Sequence, residues 1–337
     1  MSKIEIKGAR ILVTGAAGFI GAHLCAHLLS QGAQVTGVDS LVPTGDRMHD
    51  RLAPLRDHAD FQFIGADISH ETDPLFAQEG YTAIVHLAAR YAPQAGWDDP
   101  AGAVRNNVAA LMAVLTACQV YRPAHLIFAS GAAVYGLNRH QDTSEYDAVD
   151  HPVSPLAAGM RAAELLAHSF AHHHQISTTG LRFFSLYGPA GHHDSAISHF
   201  VRALFAGTPL TVYHKGQARR SWTYIDDAIR LIARVLTQPP LGNSRWDQAQ
   251  RTPAQSVAPF KIYNVGSGES ATVTEVIRIL ERHVGVPATL KSMPPPPGDI
   301  RVSICNPQRL LQDFADMPRT SLEEGLAKVI AWYRTQR

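Results

Sequence analysis

Lysine is nearly missing from this chain. Of its 30 basic residues six are lysines (Lys3, Lys7, Lys215, Lys261, Lys291 and Lys328), and none lies between Lys7 and Lys215. A reaction step that needs an ammonium group in the first two thirds of the chain has no candidate there. Cysteine is as scarce: Cys25, Cys118 and Cys305 are odd in number and lack metal-ligand spacing. That excludes a disulfide framework, leaves no metal centre to expect, and suits a reducing, cytoplasmic compartment. Neither sign of charge is in excess, with 30 basic against 29 acidic residues. Without a basic surplus to neutralise phosphates or lipid headgroups, neither nucleic acid nor membrane is expected as a partner. No apolar run reads as a membrane span, and the opening Met-Ser-Lys passes into a strand pattern without the apolar stretch of a secretory leader.

What is present is a large apolar fraction. At 337 residues and 45% hydrophobic, the chain is long enough to bury a full core, as one large α/β domain or one and a half. Short β-rich runs at Arg10–Thr14, Val35–Val38, Phe61–Ile64, Ala83–Leu87, Leu126–Ala129 and Thr178–Leu181 alternate with helical patterns at Phe19–Ser30, Ala101–Val120 and Leu156–His173. The first helix carries an apolar stripe through Ile20, Leu24, His27 and Leu28. Strands separated by helices at this spacing predict βαβ units: an α/β Rossmann-type doubly wound parallel sheet, covered on both faces. A polar stretch runs from Ser40 to Asp60, and Pro294–Pro297 breaks structure locally. Further helices are expected at Thr272–His283 and Leu322–Arg334. The expected division is a nucleotide-binding domain over residues 1–184 and a smaller C-terminal substrate lobe over 185–337, with segments returning to the sheet.

The first strand leads into Thr14-Gly15-Ala16-Ala17-Gly18-Phe19-Ile20-Gly21 and then a helix. Gly15 permits a tight turn, Gly18 lets the backbone approach a pyrophosphate, and Gly21 allows close packing of the helix. The helix N-terminus supplies N–H groups and the positive end of its dipole. Asp39, at the end of the second strand, stands where a carboxylate binds an adenosine ribose and repels a 2′-phosphate. Arg47 and Arg51, a short loop further on, are candidates for binding that phosphate, so NADH and NADPH both stay open as cofactors.

The Gly-x-x-Gly-x-x-Gly spacing resembles that of the extended short-chain dehydrogenases/reductases, the NAD-dependent epimerase and dehydratase branch, and the likeness runs over nearly the whole chain. Similar stations follow in order: Gly65-Ala66-Asp67-Ile68, His86-Leu87-Ala88-Ala89, Asn107, Val134-Tyr135-Gly136, Leu181-Arg182-Phe183-Phe184, Tyr187-Gly188-Pro189, Thr223-Tyr224-Ile225-Asp226-Asp227 and Pro297-Gly298-Asp299. They lie nearest to those of UDP-glucuronate 4-epimerases. The resemblance implies cofactor contacts at Gly15, Ala17, Gly18, Phe19, Ile20, Asp39, Arg47, Asp67, Ile68, Leu87, Ala88, Ala89, Asn107, Ser130 and Phe184. It implies substrate contacts at Arg90, Gly131, Leu156, Ser185, Tyr187, His192, His193 and Arg220, with Asp299 on a nucleotide ribose. A homodimer through the Ala101–Val120 and Leu156–His173 helices is implied as well.

The family's proton-transfer apparatus is a Ser or Thr after a core strand and a Tyr-x-x-x-Lys on a helix. Here those positions fall on Gly131, Leu156 and Met160, and no Tyr-x-x-x-Lys occurs anywhere. Loss of a general base costs about 10²–10⁴-fold per proton transfer. One expectation follows from letting the substrate bring its own acid. A phenol beside a ketone would deliver the proton, with an effective molarity on the order of 10⁵ M, and Leu156 and Met160 would wall a flat aromatic body. On this reading the chain is similar to triad-lacking ketoreductases of angucyclinone (simocyclinone-type) antibiotic biosynthesis, reducing an aromatic polyketide carbonyl with NAD(P)H. Two alternatives stand beside it: a nucleotide-sugar epimerase-like enzyme with relocated acid and base, and a non-catalytic cofactor-binding sensor. His172-His173-His174 cannot share one helix face and reads as a solvated helix end.

Overall fold

Aliphatic and β-branched runs, too apolar to leave a face in water, set the central sheet. The structure, a computed structural model, describes residues 3–41, 51–70, 76, 80–89, 95–138, 142–247, 249, 252–314 and 319–336. Strand β1 (Arg10–Thr14) leads to helix α1 (Phe19–Ser30), then β2 (Gln34–Asp39), β3 (Phe61–Gly65) and β4 (Ala83–His86). Helix α2 (Pro100–Tyr121), β5 (His125–Gly131), the short β6 (Asp142–Thr143), α3 (Pro155–His174) and β7 (Thr178–Phe183) follow. The later part adds β8 (Ser185–Tyr187), α4 (Ala196–Ala206), β9 (Leu210–Val212), β10 (Arg219–Arg220), β11 (Trp222–Tyr224), α5 (Ile225–Leu236) and β12 (Phe260–Val265). The chain ends with β13 (Ala271–Thr272), α6 (Val273–Val284), β14 (Leu290–Ser292), β15 (Val302–Cys305) and α7 (Leu322–Thr335).

The main sheet has seven strands in the order β12-β7-β5-β4-β1-β2-β3. Its neighbours pair in parallel, as in Val13↔Gly37, Val13↔Val85 and Tyr263↔Leu181. The strand order reverses between β1 and β4, so the crevice for a ligand opens beyond Thr14 and His86. Beyond β7 the chain builds three small sheets: β13-β10-β15-β6, β11-β8 and β14-β9.

The strands expected from sequence form: β1 has the expected bounds, β2, β3, β5 and β7 run one to three residues longer, and β4 ends one residue early, at His86. Strand β12 was not foreseen; it completes the sheet by pairing with β7. Side chains on one face of the sheet join α1, α4, α5, α6 and α7 in one large buried cluster, and those on the other face join α2 and α3 in a second. The stripe expected on α1 is displaced. Phe19, Ala22, Leu24, Cys25, Leu28 and Leu29 are buried, whereas Ile20 and His27 sit at the flank. The Ser40–Asp60 stretch is not simply a polar loop, because Leu52 and Leu55 anchor it in the core.

Caps explain the two long helices. Asp99 accepts from the Gly102 N–H at the start of α2, and Ser154 accepts from Ala157 N–H at the start of α3. Each has Pro at its first turn, where the missing N–H costs nothing. Contrary to the sequence reading, α2 is long and apolar enough to cross a membrane by length and composition. Its apolar residues have another use here: Ala110, Leu111, Val114, Leu115, Ala117 and Cys118 are buried in the core.

Candidate active site

The β1–α1 turn is shaped by its glycines. Gly15 has φ +70°, a left-handed conformation that L-residues rarely adopt, and a Cβ there would lie 2.6 Å from the Leu87 carbonyl carbon. A Cβ on Gly21 would lie 2.0 Å from Gly15 O, so the helix packs on the turn itself rather than on the strand. Helix α1 has Gly18 as N-cap, no side-chain cap and no acidic residue in its first turn. Its first N–H groups therefore meet whatever anion occupies the turn.

Asp39 closes the same turn from the side. Its Oδ2 accepts from Ala17 N–H at 3.1 Å and its Oδ1 from Leu41 N–H at 3.0 Å. Each oxygen keeps a second lone pair for a ribose hydroxyl. Burial raises this carboxyl, and the two N–H bonds and the nearby Arg51 guanidinium work against that rise. Asp67 heads a turn in which Ser69 N–H and hydroxyl both donate to its Oδ1, at 2.9 and 2.6 Å, with Ile68 buried beside it. Leu87, Ala88 and Ala89 follow β4, half-buried. Thr14 Oγ1 accepts from Ala88 N–H at 3.3 Å and shares a 2.8 Å bond with His86 Nδ1, tying β1 to β4 at the crevice. Asn107 is buried on α2. Arg47 and Arg90 lie outside the described residues.

At the positions of the missing triad the structure departs from expectation. Leu156 and Met160 are 2% and 5% exposed, in a small cluster with Val134, Tyr135, Val149, Phe184 and Cys305. They fill space among these side chains rather than standing exposed as an apolar wall. Phe184 belongs to the same cluster at 7% exposure. Ser130, beside Gly131, donates its hydroxyl to Glu164 Oε1 at 2.7 Å and so is turned toward the interior. Glu164 is forked by Arg182, Nε to Oε1 and Nη2 to Oε2, each at 2.8 Å. Burial alone would raise the Glu164 carboxyl, but the charge and hydrogen bonds of Arg182, with Ser130 and Arg161, hold it below its usual range. Arg182 also donates to the Tyr135 hydroxyl at 3.1 Å, and Tyr135 donates to Asn264 Oδ1 at 2.6 Å. No motif reading singled out Glu164–Arg182 as a pair, since the partners are brought together from α3 and β7.

The expected substrate residues scatter. Ser185 is half-buried on β8 beside Trp222 of β11. Tyr187 turns into the core: its ring meets Tyr224 edge-on at 5.8 Å, and its buried hydroxyl has no hydrogen-bond partner among the described residues and lies against Gly325. It is a packing residue. On the 191–195 loop, His192 Nδ1 accepts from Asp194 N–H at 3.2 Å and His193 Nδ1 lies 3.1 Å from Asp194 Oδ1. Arg220 donates from Nη2 to Asp299 Oδ1 at 3.2 Å and from Nη1 to Arg301 O at 2.9 Å. His214 Nε2 shares the other Asp299 oxygen at 3.0 Å, from a turn in which His214, Lys215 and Gly216 all have φ between +50° and +76°. No group of three metal-ligating side chains forms among the described residues. A cavity of about 290 Å³ lined by Arg10, Gln34, Thr36 and Asp60 opens at the N-terminal ends of β1 and β2, the wrong edge for this crevice.

A glycine turn at the first strand, an acid at the second and an all-parallel sheet define a dinucleotide-binding α/β enzyme. Residues 11–266 match the NAD dependent epimerase/dehydratase family, and the chain belongs to it, as an NAD-dependent enzyme of oxidoreductase type. It is 33% identical to a probable UDP-glucuronate 4-epimerase of Rhizobium meliloti (strain 1021), with 96% of each chain covered. It superposes on the UDP-glucuronic acid 4-epimerase of Bacillus cereus, solved with UDP-glucuronic acid and NAD, with TM-score 0.84, 27% identity and coverage of 97% and 100%. The dTDP-glucose 4,6-dehydratase DesIV of Streptomyces venezuelae, solved with NAD, matches with TM-score 0.85, 27% identity and coverage of 97% and 98%. These findings overturn the aromatic polyketide ketoreductase of antibiotic biosynthesis and the narrower simocyclinone-type resemblance. That expectation took the absent triad for a change of substrate and gave Leu156 and Met160 a binding surface, but both side chains are spent on internal packing.

Proposed function

We propose that this protein binds NAD together with a nucleoside-diphosphate sugar of the hexuronate type and acts at the sugar ring as an epimerase-like enzyme. Its proton-transfer group lies elsewhere than on α3. NAD supplies the hydride acceptor and donor; the chain's own residues hold and orient. The observation that carries the reading is the charged group at Arg220, Asp299 and His214. Arg220 is fixed by a backbone carbonyl and a carboxylate while remaining 18% exposed. A preorganised guanidinium of this kind suits a diphosphate. The relatives named for UDP-glucuronate chemistry support it.

NAD is preferred over NADP, because the buried Asp39 carboxylate sits where it favours a 2′-hydroxyl and opposes a 2′-phosphate. The proposed cofactor contacts are Gly15, Ala17, Gly18, Phe19, Ile20, Asp39, Asp67, Ile68, residues 87–89 and Asn107. Residues 1–184 form the nucleotide domain and 185–337 the substrate lobe, with β12 returning to the sheet. His192 and His193, on the 191–195 loop, take the acid and base roles. The outer faces of α2 and α3, where Val120 is 68% and Leu165 55% exposed, join two copies in the cytoplasm.

Calorimetric titration of the NAD-loaded protein with UDP-glucuronate, followed by chromatography of the products, tests the reading. Micromolar binding is expected, weakened at least about tenfold by Arg220→Ala with NAD affinity unchanged. Turnover is expected about 10²–10⁴-fold below that of a triad-bearing relative. NAD binding with no uptake of any nucleoside-diphosphate sugar would overturn it.

A further inference from the structure

Arg51 reaches from the segment after β2 to two places far apart in sequence. Its Nε donates to Ala190 O at 2.8 Å and its Nη2 to Gly191 O at 3.1 Å, both on the loop that bears His192 and His193. Its Nη1 donates to Ala17 O at 3.4 Å, inside the glycine turn. Ala17 is thus held on both polar atoms, its N–H by Asp39 and its carbonyl by Arg51. The far end of the tie is strained: Ala190 has φ +53°, a conformation that persists only where surrounding contacts over-determine it. Next to it a Cβ on Gly188 would lie 2.3 Å from Ile225 Cγ2 and 3.5 Å from the Phe19 ring, so the loop lies directly over the start of α1.

We infer that Arg51 is a positioning residue that fastens the 188–195 loop to the dinucleotide turn, so that ordering of the loop and occupancy of the turn are energetically coupled. The fork is what matters. A guanidinium addresses two successive carbonyls with fixed, divergent N–H groups, whereas an ammonium is a point charge without that geometry. Whatever orders Ala17 and Gly18 also fixes the carbonyl that Arg51 grips, and by linkage the loop in turn favours the ordered turn. The inference needs only a ligand in the glycine turn and stands independently of the sugar substrate.

Amide hydrogen exchange of the full chain, with and without NAD, reads both ends at once. In the native protein NAD is expected to slow exchange at residues 15–20 and also at 190–195, by at least about tenfold. In Arg51→Lys, which keeps the charge beside Asp39, slowing is expected to persist at 15–20 and vanish at 190–195, with NAD bound about tenfold more weakly. Arg51→Ala is expected to behave likewise, with thermal melting confirming that it folds. Two results would overturn the inference. One is a native loop whose exchange ignores NAD. The other is an Arg51→Lys protein indistinguishable from native, which would leave Arg51 as mere charge compensation for Asp39.

Discussion

Two histidines illustrate what burial does to a single residue. His125 is fully enclosed; its Nδ1–H donates to Leu236 O at 3.1 Å and its Nε2 accepts from the Thr179 hydroxyl at 2.8 Å. His86 is 3% exposed against Thr14. Burial pushes both imidazoles down to about 4. With an unfolded value of about 6.5, neither affects stability above that pH. Between about pH 6.5 and 4 the unfolded chain takes up protons that the folded one refuses, and stability falls by up to about 3 kcal/mol per histidine. Urea midpoints measured from pH 7.5 to 4.5 should decline across that window; a flat profile down to pH 5 would contradict the assignment. Glu164 works in a lower window. Because Arg182 holds its carboxyl below the usual range, its contribution is present above the unfolded value and disappears only as pH falls below about 4.3.

At the scale of the element, α3, where the sequence resemblance implies the proton-transfer residues, packs its Leu156 and Met160 into a buried cluster. The sequence places it at Leu156–His173; the structure extends it by one residue at each end, from the Ser154 cap and Pro155 to a left-handed Gln175. The flanking residues also reveal which positions hold Leu156 and Met160. What the pattern does not reveal is the fate of those side chains, since their partners Val149, Phe184 and Cys305 come from three separate segments. Met160→Lys alone should therefore not restore chemistry. Glu164, one turn along α3, is already forked by Arg182, so an ammonium buried among these apolar groups is expected to cost about 3–5 kcal/mol. The penalty should shrink toward pH 9 as the buried amine gives up its proton. Urea titrations at pH 7 and pH 9 check both statements, and a Met160→Lys protein as stable as native at pH 7 would mean that the cluster opens to water.

The whole molecule is held together by exchange between its ends. One buried cluster runs from Ile4 to Ile330 and takes in α1, α4, α5 and α7 together. The last helix thus completes a core begun by the first strand. Leu326 on α7 is fully buried, and Leu326→Ala is expected to cost about 2–5 kcal/mol. Because the core is shared, tryptophan fluorescence and far-ultraviolet circular dichroism should move to lower urea together. Separate transitions would show two independently folding units.

The chain's linear pattern determined the parallel sheet, the glycine turn with its acid, and the loss of the triad, because each of these is a local matter of periodicity, backbone freedom or residue identity at fixed spacing. Tertiary structure alone decided that β12 closes the sheet, that Leu156 and Met160 are interior, that Tyr187 faces the core, and that Glu164 meets Arg182 and Arg51 meets Ala190. Those outcomes depend on which distant segments arrive beside one another, and side-chain burial is a property of the neighbours as much as of the residue.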